Sequence, residues 1–414
     1  MFLLLVTYRY NKGNKKKSGC FRMDTVQEFC RKYYVNRKGT QSLKWDGVEG
    51  RFGEADLFPL WVADMDFKVP ERVQHAMIER IEHGTFGYSF VPKSYFKAFN
   101  QWHLKRHGFE ANASWFRFCT GVVNAFNYVI QSLTQPDDSV LILSPVYYPF
   151  YDAVTNNGCQ LVVCELTQGA NEYHLDMVQF EQQICQNDVK VFLHCSPQNP
   201  VGKVWSPKEL TQMFEICYKY NVKIISDEIH QDFMAPGQKF TSALMLDEKY
   251  YPLLYVLNAP SKTFNLASLL HSHIIIPDKK NRVLYDEYAK KVSHNPVSIM
   301  GMIATEASYL YGEEWFEGLL KVIDTNHKLI CQLFAKHLPM VRVMQRQATY
   351  LSWIDLSAYV PNDQLIDIVQ RKAKLAVDYG EWFGENGHGF IRINLATSPE
   401  NIEQAILRLI TEIK

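Results

Sequence analysis

Six short runs rich in Val, Ile and Leu, separated for the most part by segments of helical period, constrain this chain more than any other feature. They lie at residues 139–143, 160–164, 189–194, 222–227, 253–257 and 273–276. Runs that are apolar at consecutive positions belong to strands buried on both faces, as in a parallel or mixed sheet covered by helices. Helices are predicted over 70–83, 95–107, 122–134, 175–186 and 207–220, with Pro207 at a first-turn position where its missing N–H costs nothing. The alternation is that of an α/β domain. In such open sheets the ligand site lies at the carboxyl ends of the strands.

After about residue 295 the pattern changes. Helix-like stretches at 298–310, 315–338 and 363–377 surround two strand-like runs at 350–355 and 390–395, an α+β module. A chain of 414 residues exceeds what one core usually serves, so two packed domains are expected. The predicted division is a loose extension at 1–22, an N-terminal segment at 23–70 contributing to the small domain and to dimer contacts, a large domain at 71–297 and a small one at 298–414. The 44 basic and 44 acidic side chains cancel, which gives no electrostatic reason to expect nucleic acid or an anionic membrane as partner. The apolar run at 1–6 is too short to span a bilayer. Nine scattered cysteines with no CxxC pair fit a reducing, cytoplasmic compartment, and no His/Cys cluster has zinc spacing, so no metal is expected.

The strand-end rule selects particular side chains. Lys262, in Ala-Pro-Ser-Lys-Thr-Phe-Asn, follows the run at 253–257 and is either a solvated surface charge or a desolvated amine able to form a Schiff base. Asp227 ends its strand, as a cap or as the partner of a protonated pyridine nitrogen. His230 follows three residues later. Asn199 lies in the turn Ser-Pro-Gln-Asn-Pro-Val-Gly, stabilising it or donating to a ligand oxygen. Arg392 alternates with apolar neighbours and needs an anion, either an internal carboxylate or that of a substrate. Tyr147 can stack on a planar group, and Thr120, Gly121, Val122 and Val123 open a helix whose free amides favour phosphate.

Taken in order, these segments resemble the aminotransferase class I and II superfamily, and within it the MalY/PatB group of cystathionine beta-lyases. The matching motifs are Ser-Leu-Lys-Trp-Asp at 42–46, Leu-Trp-Val-Ala-Asp-Met-Asp-Phe at 60–67, Phe-Gly-Tyr-Ser at 86–89, the Asn199 turn, Ser-Asp-Glu-Ile-His at 226–230, Ser-Lys-Thr-Phe-Asn-Leu-Ala at 261–267, and Arg392. The resemblance implies the fold-type I architecture of enzymes using pyridoxal 5'-phosphate (PLP): a mostly parallel seven-stranded sheet between helices, with a smaller α+β domain. By it Lys262 holds the cofactor, Asp227 pairs with the ring nitrogen, and Asn199 and His230 lie near the ring hydroxyl. Tyr147 stacks on the ring. Gly121, Val122, Val123 and Ser261 line a phosphate cup, and Tyr88 reaches the phosphate from the neighbouring subunit of a homodimer. Arg392 grips a substrate carboxylate, and Trp61, Val62, Ala63 and Asp64 form a loop closing near the substrate. The implied activity is cleavage of L-cystathionine or related cysteine S-conjugates to a thiol, pyruvate and ammonia; an aminotransferase, or a dual-role or regulatory protein on the same fold, is the alternative. Two positions depart from the pattern. Leu270 stands where the superfamily often has a phosphate-binding arginine, and Ser268 where the subgroup usually has glycine.

Overall fold

The computed structural model describes residues 25–294 and 297–414. The expectation for 1–22 lies outside them, and the predicted border at 297/298 falls beside the undescribed pair.

Seven strands build the large sheet: β1 (Phe116–Cys119), β2 (Ser139–Ser144), β3 (Gln160–Glu165), β4 (Val189–Cys195), β5 (Lys223–Asp227), β6 (Leu254–Asn258) and β7 (Ser272–Ile275). Their spatial order is β1-β7-β6-β5-β4-β2-β3. Pairing is parallel from β3 through β6, and β7 runs antiparallel to both β6 and β1. The six predicted runs are strands. β1, four residues with an arginine among them, offers no apolar run to detect.

Burial on both faces explains the unbroken apolar runs. Leu141, Phe192, Ile224 and Val256 enter one core, while their chain neighbours Ile142, Leu193, Ile225 and Leu257 enter another on the opposite face. Helix α4 (Val122–Leu133) presents Val122, Ala125, Phe126, Val129 and Ile130 to that second core, the i, i+3, i+4, i+7 spacing of one helical face. Emptying one such position, as in Phe126→Ala, costs about 3–5 kcal/mol. Helix α6 (Pro207–Lys219) starts where Ser206 and Glu209 form a capping box ahead of Pro207.

A second sheet is antiparallel: β8 (Arg342–Val343), β9 (Leu351–Asp355), β10 (Asp378–Tyr379) and β11 (Phe390–Asn394), in the order β8-β9-β11-β10. Helices α9 (Glu313–His337) and α10 (Pro399–Ile413) bury their apolar faces in the same core as β9 and β11. The N-terminal segment packs here too. Phe29 of helix α1 (Val26–Tyr33) presses on Gly318 of α9, where an added Cβ would lie 2.5 Å from its ring. Phe58–Pro59 pairs in parallel with Leu375–Ala376.

One predicted helix ends early. The stretch 363–377 has apolar residues at helical spacing and winds helically from Asn362 through Lys372, opening as a 3₁₀ turn (Asn362–Gln364) and closing as a π-helix (Asp367–Lys372). Lys374 then takes φ +57° and ion-pairs with Glu54 at 2.8 Å, which releases Leu375–Ala376 to pair with the N-terminal segment. Tertiary strand pairing overrides the local period.

Candidate active site

The carboxyl ends of the parallel strands converge on a cavity of about 260 Å³. Asp227 closes β5. Asn199 follows β4 and Tyr147 follows β2, with the Tyr147 N–H donating to the Asn199 carbonyl at 3.1 Å. After β6 the chain turns at Ala259 into the short helix α7 (Pro260–Thr263), which carries Ser261 and Lys262. After β1 it passes Thr120 and Gly121 into α4. Gly121 takes φ +155°, ψ 155°, a region reserved for glycine, and α4 has no side-chain cap on its first amides.

These residues line one cavity: Val62, Ala63, Gly121, Val122, Val123, Tyr147, Asn199, Asp227, His230, Ser261, Lys262 and Arg392. Trp61 and Asp64 do not line it. The Trp61 ring packs with Val48, Leu57 and Ala376, and its N–H donates to the Lys44 carbonyl at 3.0 Å. Asp64 ion-pairs with Arg37 at 2.7 Å. Trp61 is drawn into that small apolar cluster and Asp64 to the Arg37 guanidinium, so neither side chain turns to the cavity. The loop itself is pinned there: Asn394 Nδ2 donates to the carbonyls of Val62 and Asp64, and Tyr350 Oη to that of Ala63. Tyr88 is fully exposed, between exposed Phe86 and Phe90, and is not among the residues lining the cavity within the chain.

The charges are tuned by burial. Lys262 Nζ donates to the Ala63 carbonyl at 2.9 Å. Burial pushes its ammonium down to about 8, the Asp64 carboxylate opposing the change and Arg392 assisting it. Burial likewise pushes Asp227 up to about 7, against the pull of the Ile229 amide, which donates to its Oδ1 at 3.0 Å, and of Lys262. His230 is held well below the ordinary histidine range by burial and by the positive charges of Lys262 and Arg392. Its Nδ1 is buried without a partner.

Arg392 sits on β11 directly across from Asp378 of β10. Its Nε and Nη2 donate to Asp378 Oδ2, the former at 3.0 Å, and Nη1 donates to Asn199 Oδ1 at 2.8 Å. Asp378 and His271 also line the cavity and were outside the sequence reading. The available signal for Asp378 was a lone acid inside the apolar stretch 375–379; for His271 there was none.

The model of the family described as Aminotransferase class I and II matches residues 55–409. The chain belongs to that family. Within it, the chain is 35% identical to the cystathionine beta-lyase PatB of Bacillus subtilis, over 90% of this chain and 97% of the relative. Among solved structures it resembles cystalysin from Treponema denticola, which contains pyridoxal 5'-phosphate, with TM-score 0.88 and 33% identity over 91% of this chain and 97% of the other. It also resembles the PLP-bound C-S lyase from Staphylococcus hominis, with TM-score 0.85 and 29% identity over 92% and 96%. The seven-stranded sheet, the smaller domain and the strand-end cavity are the fold-type I arrangement of the family. Among the described residues no helix is long and apolar enough to cross a membrane, and no group of His, Cys, Asp and Glu is placed to hold a metal.

Proposed function

We propose that this chain is a PLP-dependent carbon-sulfur β-lyase, cleaving L-cystathionine or related cysteine S-conjugates with water to a thiol, pyruvate and ammonia. The observation that carries this reading is the joint lining of one cavity by Lys262, Asp227 and Arg392 in a chain 35% identical to a cystathionine beta-lyase.

The residues fit the cofactor. A lysine stands just past a strand end, a buried carboxylate faces the same cavity, and α4 offers uncapped amides suited to phosphate. Asp227, pushed up to about 7 while alone, regains its charge beside a protonated ring nitrogen. His230 Nδ1 and Asn199 supply polar contacts for a ring hydroxyl, and Tyr147 a flat surface. Bound there, PLP provides an electron sink for the charge left when the substrate loses its Cα proton.

The remaining chemistry belongs to the chain. Lys262 would hold the cofactor, and its Nζ, an amine that burial lowers to about 8, is the group that would accept the Cα proton of a substrate bound in the same cavity. Arg392 orients the substrate by its carboxylate. The thiolate departs from Cβ, and hydrolysis of the three-carbon remainder gives pyruvate and ammonia.

The exposed aromatic arm of Phe86, Tyr88 and Phe90 favours a homodimer in which Tyr88 of one subunit completes the phosphate site of the other. Free thiols on every described cysteine favour a reducing, cytoplasmic setting. The test is to follow pyruvate from L-cystathionine with PLP present, for the wild type and Lys262→Ala. The substitution should abolish turnover while PLP still binds without a covalent link; an unchanged rate would remove Lys262 from the chemistry.

A further inference from the structure

The rim of the cavity carries a positive charge that the chemistry above does not use. The short helix Val48–Phe52 stops at Gly53, which takes φ +75°, and it presents Arg51 beside the rim. Phe52, next in the chain, packs edge-on against Trp61 with ring centres 5.5 Å apart and lies 6.2 Å from Trp382. Both contacts tie the helix to the site. Trp61 precedes Val62 and Ala63, which line the cavity, and Trp382 precedes Phe383, whose carbonyl accepts from the Val146 amide and the Tyr151 hydroxyl, each at 2.9 Å.

Three ring contacts lead from Arg392 to Arg51. The Arg392 guanidinium lies 4.6 Å from the centre of the Phe383 ring, Phe383 meets Tyr148 edge-on at 6.2 Å, and the Arg51 guanidinium lies 5.8 Å from the centre of the Tyr148 ring. Tyr148 lines the cavity. Arg51 also lies 4.3 Å from the centre of a Trp382 ring, a contact that engages the face of the guanidinium and leaves its in-plane N–H groups free to donate. Among the described residues nothing takes them: the side chain is exposed and makes neither a hydrogen bond nor an ion pair. The other cations near the Trp61–Asp64 loop are committed, Arg37 to Asp64 at 2.7 Å and Lys44 to Asp66 at 2.8 Å. A guanidinium held by its face, with its donors open, suits the paired oxygens of a carboxylate.

We propose that Arg51 sets the substrate class of this site: it binds a second carboxylate, carried on the departing thiol half of the substrate, while Arg392 holds the carboxylate of the reacting half. This rests on the β-lyase reading and narrows it to cysteine S-conjugates with an acid at both ends, as in L-cystathionine. The site is exposed, so the gain is that of a charge-assisted bond discounted for solvent.

The experiment follows pyruvate from PLP-loaded protein with three compounds that share the cysteine end: L-cystathionine, whose thiol half carries an amine and a carboxylate, S-(3-carboxypropyl)-L-cysteine, which keeps the carboxylate alone, and S-propyl-L-cysteine, which has neither. Differences in leaving group cancel when each compound is compared between wild type and variant. Arg51→Ala should lower kcat/KM about three- to tenfold for the two acids and leave S-propyl-L-cysteine nearly unchanged. Arg51→Lys, which keeps the charge, should retain most of the preference, and Arg51→Glu should reduce it below that of the Ala variant. The same order should appear in dissociation constants measured by calorimetry in the PLP-loaded Lys262→Ala background, where turnover does not intervene. Equal losses on all three compounds, or none on any, would overturn the role of Arg51 and leave the lyase reading standing. A loss confined to L-cystathionine would overturn it too, since the amine would then be what is read. A wild type that releases pyruvate from none of the three would overturn the lyase reading and this inference with it.

Discussion

Arg392 carries five N–H donors, and three are engaged inside the protein, two by Asp378 and one by Asn199. The two left over suit the two oxygens of a carboxylate, which makes Asp378 the residue that fixes the orientation of the grip. Asp378→Ala would leave a guanidinium buried without its counter-charge. It should lower unfolding free energy by about 3–5 kcal/mol, read by urea denaturation. Arg392→Lys should raise the KM for substrate at least about tenfold with a smaller change in kcat, since an ammonium cannot make the paired contacts. Borohydride treatment with PLP should fix the cofactor to the peptide containing Lys262 and to no other lysine. At this scale the sequence disclosed the residues that end strands, Lys262, Asp227 and Asn199, because strand ends are visible as the close of apolar runs. It did not disclose Asp378 or His271. Their meaning depends on tertiary partners, Arg392 on the neighbouring strand and Tyr95 on a helix, and one-dimensional spacing carries no trace of such pairs.

Elements carry the pH response. Burial pushes His103 and His194 down to about 3 and His327 down to about 4. Unfolded histidines titrate near 6.5, so between about pH 4 and 6.5 the unfolded chain binds more protons than the folded one. The stability this represents is complete above about 6.5 and is lost as pH falls. His194 is the cleanest probe: it lies on β4 between Phe192 and Trp205, with neither nitrogen hydrogen-bonded. Between about pH 7 and 5, His194→Leu should lose about 2 kcal/mol less stability than the wild type, measured by denaturation at each pH. The large sheet was legible because its strands are covered on both faces and read as uninterrupted apolar runs. The stretch 363–377 misled for the complementary reason: its helical period is real, but Lys374 and the pairing of Leu375–Ala376 with Phe58–Pro59 end the helix early.

For the whole molecule, an arm with exposed Phe86, Tyr88 and Phe90 predicts a homodimer. Sedimentation should give twice the chain mass, and the double substitution Phe86→Asp with Phe90→Asp should give monomers with weakened PLP binding, because Tyr88 would no longer reach a second site. The two domains meet around one cavity: Arg392 of the small domain bonds to Asn199 of the large one, and Lys262 to the carbonyl of Ala63 in the N-terminal segment. Loss of any of these parts should therefore impair the same reaction. The reaction itself is tested most directly by the stoichiometry of products from L-cystathionine and purified, PLP-loaded protein, with and without an added 2-oxo acid. Pyruvate and free thiol in equal amounts, unaffected by the oxo acid, is the result expected of a carbon-sulfur β-lyase; turnover that requires the oxo acid and releases no thiol would contradict it.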